Sequence, residues 1–346
     1  MSEDKIWQSM WGKAHGKGLM LSKRLDRITL IGICDPHFTA YNPSSWKVSY
    51  YDELEKTIKS LFSYAHSELV DGIVWAGDIF HLKSPSRNPL WFMTKIIQLM
   101  REAPCPNLGI AGNHDLKFGS LEGLEGQPLE LLMEAGVYHL LDQKPWIFQV
   151  SGFEVEVAGK SYEHGRAIEP LFETNAKWKM SVGHFWFGKQ TGTLFGEQIY
   201  GPDYLVKWKS DVYLIGHHHD DQGIVRVEGK AYCSLGSVTR TGSHKQDLER
   251  RPAAVLLQFT DKTIDISPIR VLHRPMSELI DMDRREQVMK EKQEIDDFIE
   301  TLKAGTIGVM DPDKVLNELD LTEEVRDKTR EYLDKAEVKC SDGTGQ

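Results

Sequence analysis

Five short motifs hold the residues best suited to chemistry: Asp35-Pro36-His37, Gly77-Asp78, Gly112-Asn113-His114-Asp115, Gly183-His184 and Gly216-His217-His218-His219. Each follows an apolar run, so each is expected where a strand ends and a loop begins. Carboxylates, imidazoles and an amide oxygen are donors that suit paired divalent cations of the Mn, Zn or Fe kind. Two such ions about 3.5–4 Å apart clamp the attacking and leaving oxygens of a phosphoryl displacement. The set therefore points to metal-dependent cleavage of a phosphoester.

Asp35 and His37 are two apart, and on an extended segment such residues point the same way, so both can reach one ion. A lone Asp-x-His pair reads equally as surface loop. Gly77 allows a tight strand exit before Asp78, a carboxylate placed to bridge two ions. Asn113 offers a neutral oxygen. His114 can stay off the metals and face the phosphate, where it would stabilise charge or protonate a leaving oxygen. Asp115 could fix that imidazole's tautomer and angle. The alternative for this motif is a capped turn, since Gly, Asn and Asp all favour turns. His184 alone would pass for a structural histidine. His217 and His219 form another i, i+2 pair, with His218 expected to point away; three histidines in a row can also be an adventitious metal-binding tract.

The elements that must carry these motifs alternate at first. Strands are expected at 28–34, 72–76, 108–111 and 137–141, with helices at 51–69, 89–101 and 128–135. Such alternation favours a parallel-type sheet with helices on its faces. From 146 the pattern turns to short strands: 146–150, 153–158, 180–182, 212–215, 223–227, 231–234, 253–259 and 263–266. An α/β sandwich of two sheets accommodates both halves. Residues 1–27 form a basic, Trp-containing arm, 28–275 the catalytic domain, and 276–346 a helical segment. In that segment Val288, Ile295 and Leu302 recur by sevens, and a further helix pair is expected around 312–336.

The formal charge of −10 is uneven. Residues 276–346 hold 11 basic and 20 acidic side chains, whereas residues 1–275 hold 31 and 32. The first part is thus near neutral, which neither excludes nor recommends a nucleic-acid substrate. Cys34, Cys105, Cys233 and Cys340 lack any CxxC spacing, which argues against a disulfide framework or zinc ribbon and fits a reducing cytoplasm. No apolar run is long enough for a membrane span, and no secretory leader pattern opens the chain.

The motif order over roughly residues 28–272 resembles the signature of calcineurin-like metallophosphoesterases. That resemblance implies a β-sandwich flanked by helices. It implies one divalent ion on Asp35, His37 and His219, another on Asn113, His184 and His217, and Asp78 between them. His114 would be the catalytic histidine, with Asp115 behind it. The stretch from Gly77 to Ser86, with Asp78-Ile79-Phe80-His81 followed by Pro85-Ser86, looks like the nuclease subunit of SbcCD-type double-strand-break repair complexes, phage recombination nucleases included. His81 would then act beside His114; otherwise it is an ordinary loop residue. Leu235-Gly236-Ser237 resembles the segment that follows the last metal motif in those nucleases, with Leu in place of the usual Pro.

The resemblance implies a Mn2+-dependent DNA exo/endonuclease, with Zn2+, Fe2+ or Mg2+ as alternative ions. It implies a homodimer bound to an SMC-like ATPase (SbcC-like) through the C-terminal helices, which could instead brace the catalytic domain. Only about 70 residues follow Pro275, which suits a helical docking segment better than a full DNA-contacting cap. Trp186, Lys189 and Arg240 are candidates for steering a nucleic-acid backbone, or are solvated surface. Two rivals stand: a small-molecule phosphodiesterase or phosphatase of the same superfamily, and a catalytically idle scaffold. A degenerate scaffold should lack ligands, and here all seven ligand positions are filled.

Overall fold

The computed structural model describes residues 19–43, 45–194, 197–240, 250–271, 274–287 and 290. The expected helix pair at 312–336 and residues 1–18 of the arm lie outside them. The chain divides into two compact units, Met1–Asn42 with Ser49–Arg274, and Pro43–Val48 with Pro275–Gln346.

The first unit contains two large sheets. One takes its parallel centre from β2 (Ile28–Ile33), β3 (Gly72–Ala76), β4 (Asn107–Ile110) and β5 (His139–Leu140). The antiparallel pair β14 (Ala253–Phe259) and β15 (Ile264–Arg270) extends it beyond β2. The other sheet runs β1 (Leu19–Leu21), β6 (Trp146–Val150), β7 (Phe153–Lys160), β8 (Trp178–His184), β11 (Val212–Gly216), β13 (Lys230–Ser234) and β12 (Gly223–Val227). Ile28, Leu30, Val74, Leu108 and Ile110 from one sheet meet Phe148, Val155, Met180, Val182 and Leu214 from the other in one buried cluster. Strands this buried need apolar residues on both faces, which is why β2 and β3 read as continuous hydrophobic runs.

Helices flank the sheets. In α1 (Tyr50–Ser67), Leu54, Ile58, Leu61, Phe62 and Ala65 form the buried stripe at three- and four-residue spacing. Ser49 caps it by accepting from the Asp52 amide. α2 (Leu90–Arg101) buries Phe92, Ile96 and Leu99, and α3 (Pro128–Glu134) buries Leu129 and Leu132. The outer face of the second sheet carries an aromatic cluster, with Tyr213 stacked on Tyr232 at 4.7 Å and Phe187 beyond it at 6.0 Å. The short α4 (Pro202–Leu205) contributes Leu205 to that cluster.

Some elements depart from the sequence expectation. Residues 19–21 of the arm form β1, parallel to β6, where only an arm was expected. The hairpin β9 (Gly192–Leu194) and β10 (Glu197–Ile199) was not anticipated, because its few residues carry no period-2 apolar pattern. Strand β15 runs through Pro268 to Arg270, farther than expected; it is an edge strand, where a missing amide is tolerated. In the second unit, α5 (Met276–Leu279) is followed by an antiparallel bridge between Trp46 and Ile280, and residues 282–287 are helical.

Asp71 anchors the arm's end. Its buried carboxylate accepts from the amides of Lys23 (2.7 Å) and Thr29 (2.8 Å) and from Ser22 Oγ (3.0 Å). Replacing Asp71 by Ala strands these donors and should cost about 3 kcal/mol, read as a lower urea midpoint. An unchanged midpoint would mean that water replaces the carboxylate. Glu53 of α1 accepts from Arg274 Nε at 3.1 Å and Nη2 at 2.5 Å, and this bond, against a smaller effect of burial, lowers its carboxyl below the usual range. A lowered folded-state pKa contributes stability above the unfolded value, lost as pH falls through the folded value. Glu53→Gln should therefore flatten the acid limb of a plot of melting temperature against pH, while leaving alkaline melting slopes alone.

Candidate metal centre

Parallel pairing brings the motifs to one edge. Ile33 pairs with Trp75, Ala76 with Ile110, and Gly216 with His184, so the carboxyl ends of β2, β3, β4, β8 and β11 finish close together. The turns leaving them are tight. A Cβ on Gly77, where φ is +86°, would lie 2.6 Å from His184 Nδ1 and 2.8 Å from the Gly112 amide. One on Gly112 would collide with Asp78 itself. Asp35, His37, Asp78 and His217 all adopt positive φ (48°, 50°, 48° and 92°) without being glycine. Such backbone is costly and persists where the surroundings over-determine it, commonly at functional sites.

The donors gather in two halves. Ligand atoms of Asp35, His37, Asp78 and His219 lie within 4.8 Å of one another, and so do those of Asp78, His184 and His217. In the first half, His37 Nε2 faces His219 Nε2 at 2.9 Å and Asp78 Oδ2 at 3.5 Å. In the second, Asn113 Oδ1 lies 2.9 Å from His217 Nδ1 and 3.1 Å from His184 Nε2, with Asp78 Oδ1 3.4 Å from the latter. Asp78 thus turns one oxygen to each half. His184 Nδ1 donates to the Ala76 carbonyl at 2.7 Å, which leaves its Nε2 lone pair for the centre.

This donor set fits divalent cations. Burial lowers His37 well below the ordinary histidine value despite Asp78, and burial with His184 brings His217 down to about 3, so both rings offer lone pairs. Burial alone would raise Asp78, yet His184, His37 and His114 hold it well below the usual carboxylate range. Burial pushes Asp35 up to about 7. His184 is driven down by burial but raised more by Asp78 and Asp35, to about 9. Buried carboxylates that bias a neighbour so strongly toward positive charge call for cations among them.

Beside this cluster, His81 and His114 stack with ring centres 5.6 Å apart, and both rings approach His37 edge-on. His114 Nδ1 donates to the His81 carbonyl at 2.7 Å. That carbonyl takes the place expected for Asp115, whose buried carboxylate accepts instead from the amides of Ile79, Phe80 and Gly112 at 3.0, 2.9 and 2.9 Å. Asp115 therefore shapes two loops rather than touching the imidazole, because a side chain one residue beyond His114 points back into the core. His218 turns aside to the Phe187 carbonyl, 3.1 Å from Nδ1.

Arg240 is not a surface cation either. It is buried, with Nε and Nη2 donating to the Arg250 carbonyl at 3.0 and 2.9 Å. Lys189 is exposed, and Trp186 packs on the rings of His217 and His218 at 5.0 and 4.9 Å. Sequence reasoning passed over Tyr162, whose ring lies 5.6 Å from that of His217, and Glu197. Nothing in their local pattern marked them. Ser237, noted only for its segment, donates from Oγ to the Asp35 carbonyl at 2.7 Å.

The family model described as "Calcineurin-like phosphoesterase" matches residues 28–221. The chain belongs to the calcineurin-like phosphoesterases, a family of metal-dependent phosphoesterases. It is 34% identical over 110 residues to the DNA double-strand break repair protein Mre11 of Saccharolobus solfataricus, a match covering 30% of this chain and 27% of that protein. The chain thus matches about a quarter of that curated relative's length. Among solved structures, a candidate 5′-nucleotidase from Staphylococcus aureus aligns at 16% identity with TM-score 0.46, covering 89% of this chain and 59% of its own. The purple acid phosphatase PPD1 of yellow lupin aligns at 12% and 0.44, covering 72% and 52%.

Metal at a hundred times its dissociation constant should stabilise the chain by about 2.7 kcal/mol. Melting scans with and without Mn2+ should show that rise in the parent chain, and Asp78→Ala should lose most of it along with the metal retained after dialysis. An equal rise in both would remove Asp78 from the metal centre.

Proposed function

We propose that the chain is a Mn2+-dependent DNA exo/endonuclease of recombination or repair. The observation that carries this reading is the stacked His81–His114 pair beside the two-part cluster, in a chain with local similarity to a double-strand break repair protein. Asp35, His37 and His219 would hold one ion, Asn113, His184 and His217 the other, and Asp78 both. Bound there, the ions would supply Lewis-acid polarisation of the phosphodiester and acidify the attacking water.

The chain's own residues do the rest. With Nδ1–H committed to the His81 carbonyl, His114 presents Nε2 to substrate, where its protonated form donates to the departing 3′-oxygen. Partial burial, then His114, lowers His81 below the ordinary histidine value, so that ring stays neutral near pH 7 and serves as a hydrogen-bonding neighbour. Asp115 acts through the loops that carry both histidines. DNA is the substrate; an SMC-like ATPase docked on residues 276–346 and a second copy of the chain complete the assembly, in the cytoplasm of a bacterium or phage-infected host. No helix among the described residues is long and apolar enough to cross a membrane.

A small-molecule phosphodiesterase is the second reading. The near balance of 31 basic and 32 acidic residues over 1–275 favours it, since a lone DNA-binding surface is usually basic. End-labelled linear DNA incubated with Mn2+ should be degraded, and His114→Ala should slow this about 10²–10⁴-fold. Hydrolysis of bis-p-nitrophenyl phosphate with DNA intact at low salt would instead establish the second reading.

A further inference from the structure

The two halves of the cluster are not held equally. His184 is fixed by its bond to the Ala76 carbonyl, whereas His217 sits at the strained φ of 92° on a strand end. Its Nδ1 faces Asn113 and His184, so Nε2 points outward. That Nε2 is buried and has no hydrogen-bond partner. Among the described residues the acid nearest to it is Glu197 on the β9–β10 hairpin, with Oε2 3.6 Å away. The imidazole is also walled by Trp186 edge-on at 5.0 Å and by Tyr162 at 5.6 Å, which limits how the ring can turn.

We propose that Glu197 is a positioning residue for His217: a side-chain shift of a few tenths of an ångström from the present 3.6 Å lets its carboxylate accept Nε2–H and fix the tautomer whose Nδ1 lone pair faces Asn113 and His184. A neutral imidazole carries one proton, and the nitrogen that holds it cannot be a ligand. An acceptor at Nε2 settles the choice and raises the basicity of Nδ1; loss of such outer partners commonly weakens metal binding by about 10–100-fold. This rests on the two-metal reading of the site. It adds a dependence of one half-site on a hairpin that stands apart from both large sheets.

The experiment is a Mn2+ titration of the full-length chain, with free Mn2+ followed by its paramagnetic resonance signal, so that two binding steps are resolved without assaying catalysis. His217→Ala identifies the step belonging to that half. Glu197→Ala should weaken the same step about 10–100-fold and leave the other unchanged, and should add nothing in a His217→Ala background. Glu197→Gln, which keeps an acceptor oxygen, should restore the affinity. Gln198→Ala removes two bonds within the same hairpin, from Nε2 to the Gly192 and Ile199 carbonyls at 2.8 and 3.0 Å, and should leave both steps alone. The assignment is overturned if Glu197→Ala changes neither step or both equally, or if Gln198→Ala reproduces its effect. A parent chain that binds no Mn2+ would overturn the two-metal reading itself, and with it this one.

Discussion

Carboxylates hold this centre together by gripping the backbone of one another's loops. Asp35 accepts from the His217 amide at 2.9 and 3.1 Å, joining the first motif to the last. Asp78 accepts from the His114 amide at 2.9 Å, joining the second to the third. Asp115 returns the connection by accepting from Ile79, Phe80 and Gly112. Ser237 closes the ring, its Oγ on the Asp35 carbonyl and its amide on that of His219 at 3.2 Å. Side chains that would otherwise be surface ligands are thereby cross-stitched into one object. Each carboxylate has both a donor to accept and a place in or beside the centre, which offsets part of the cost of burying it.

That stitching accounts for the backbone strain. Left-handed φ at Asp35, His37, Asp78 and His217 turns the backbone sharply where each strand gives way to its loop, beside the donor cluster. Relaxing any one turn would release amide bonds across two motifs, so the strain is held jointly rather than locally. The two sheets supply the rigid base, with their strands in parallel register up to the last residue before each turn. The general tendency of parallel strands to place ligands beyond their carboxyl ends is realised here by two sheets at once.

Much of this was legible in the sequence, because strand ends and ligand motifs coincide. An apolar run followed by Gly-Asp or Gly-Asn-His-Asp states both the element and its exit, and the strands at 72–76, 146–150, 212–216 and 253–259 fall where the pattern puts them, within a residue. The misreadings share a cause. Asp115 was assigned to the imidazole next to it in sequence, whereas two of its three amide partners lie 35 and 36 residues away. Arg240 looked like a free cation because its carbonyl partners come from Arg250 and Arg274, which no local pattern links to it. Glu197 lies in a three-residue strand with no periodicity to mark it. Sequence spacing reveals which residues share a strand end; it does not reveal what a distant loop lays over them.

The charge of the chain illustrates the same separation of local from global. By total charge a near-neutral body does not attract anions, yet the potential a phosphoester meets at this edge is set by the centre and not by the sum over the surface. Asp35 and Asp78 are the carboxylates in the donor clusters, while Asp115 is occupied by three amides. Two divalent ions held by this set would carry more positive charge than the carboxylates facing them can cancel, since Asn113 and the imidazoles are neutral ligands. The low-dielectric walls that bury Asp35, His37 and His184 would leave that excess little screened. A neutral surface around such a centre gives an anionic substrate one strong destination.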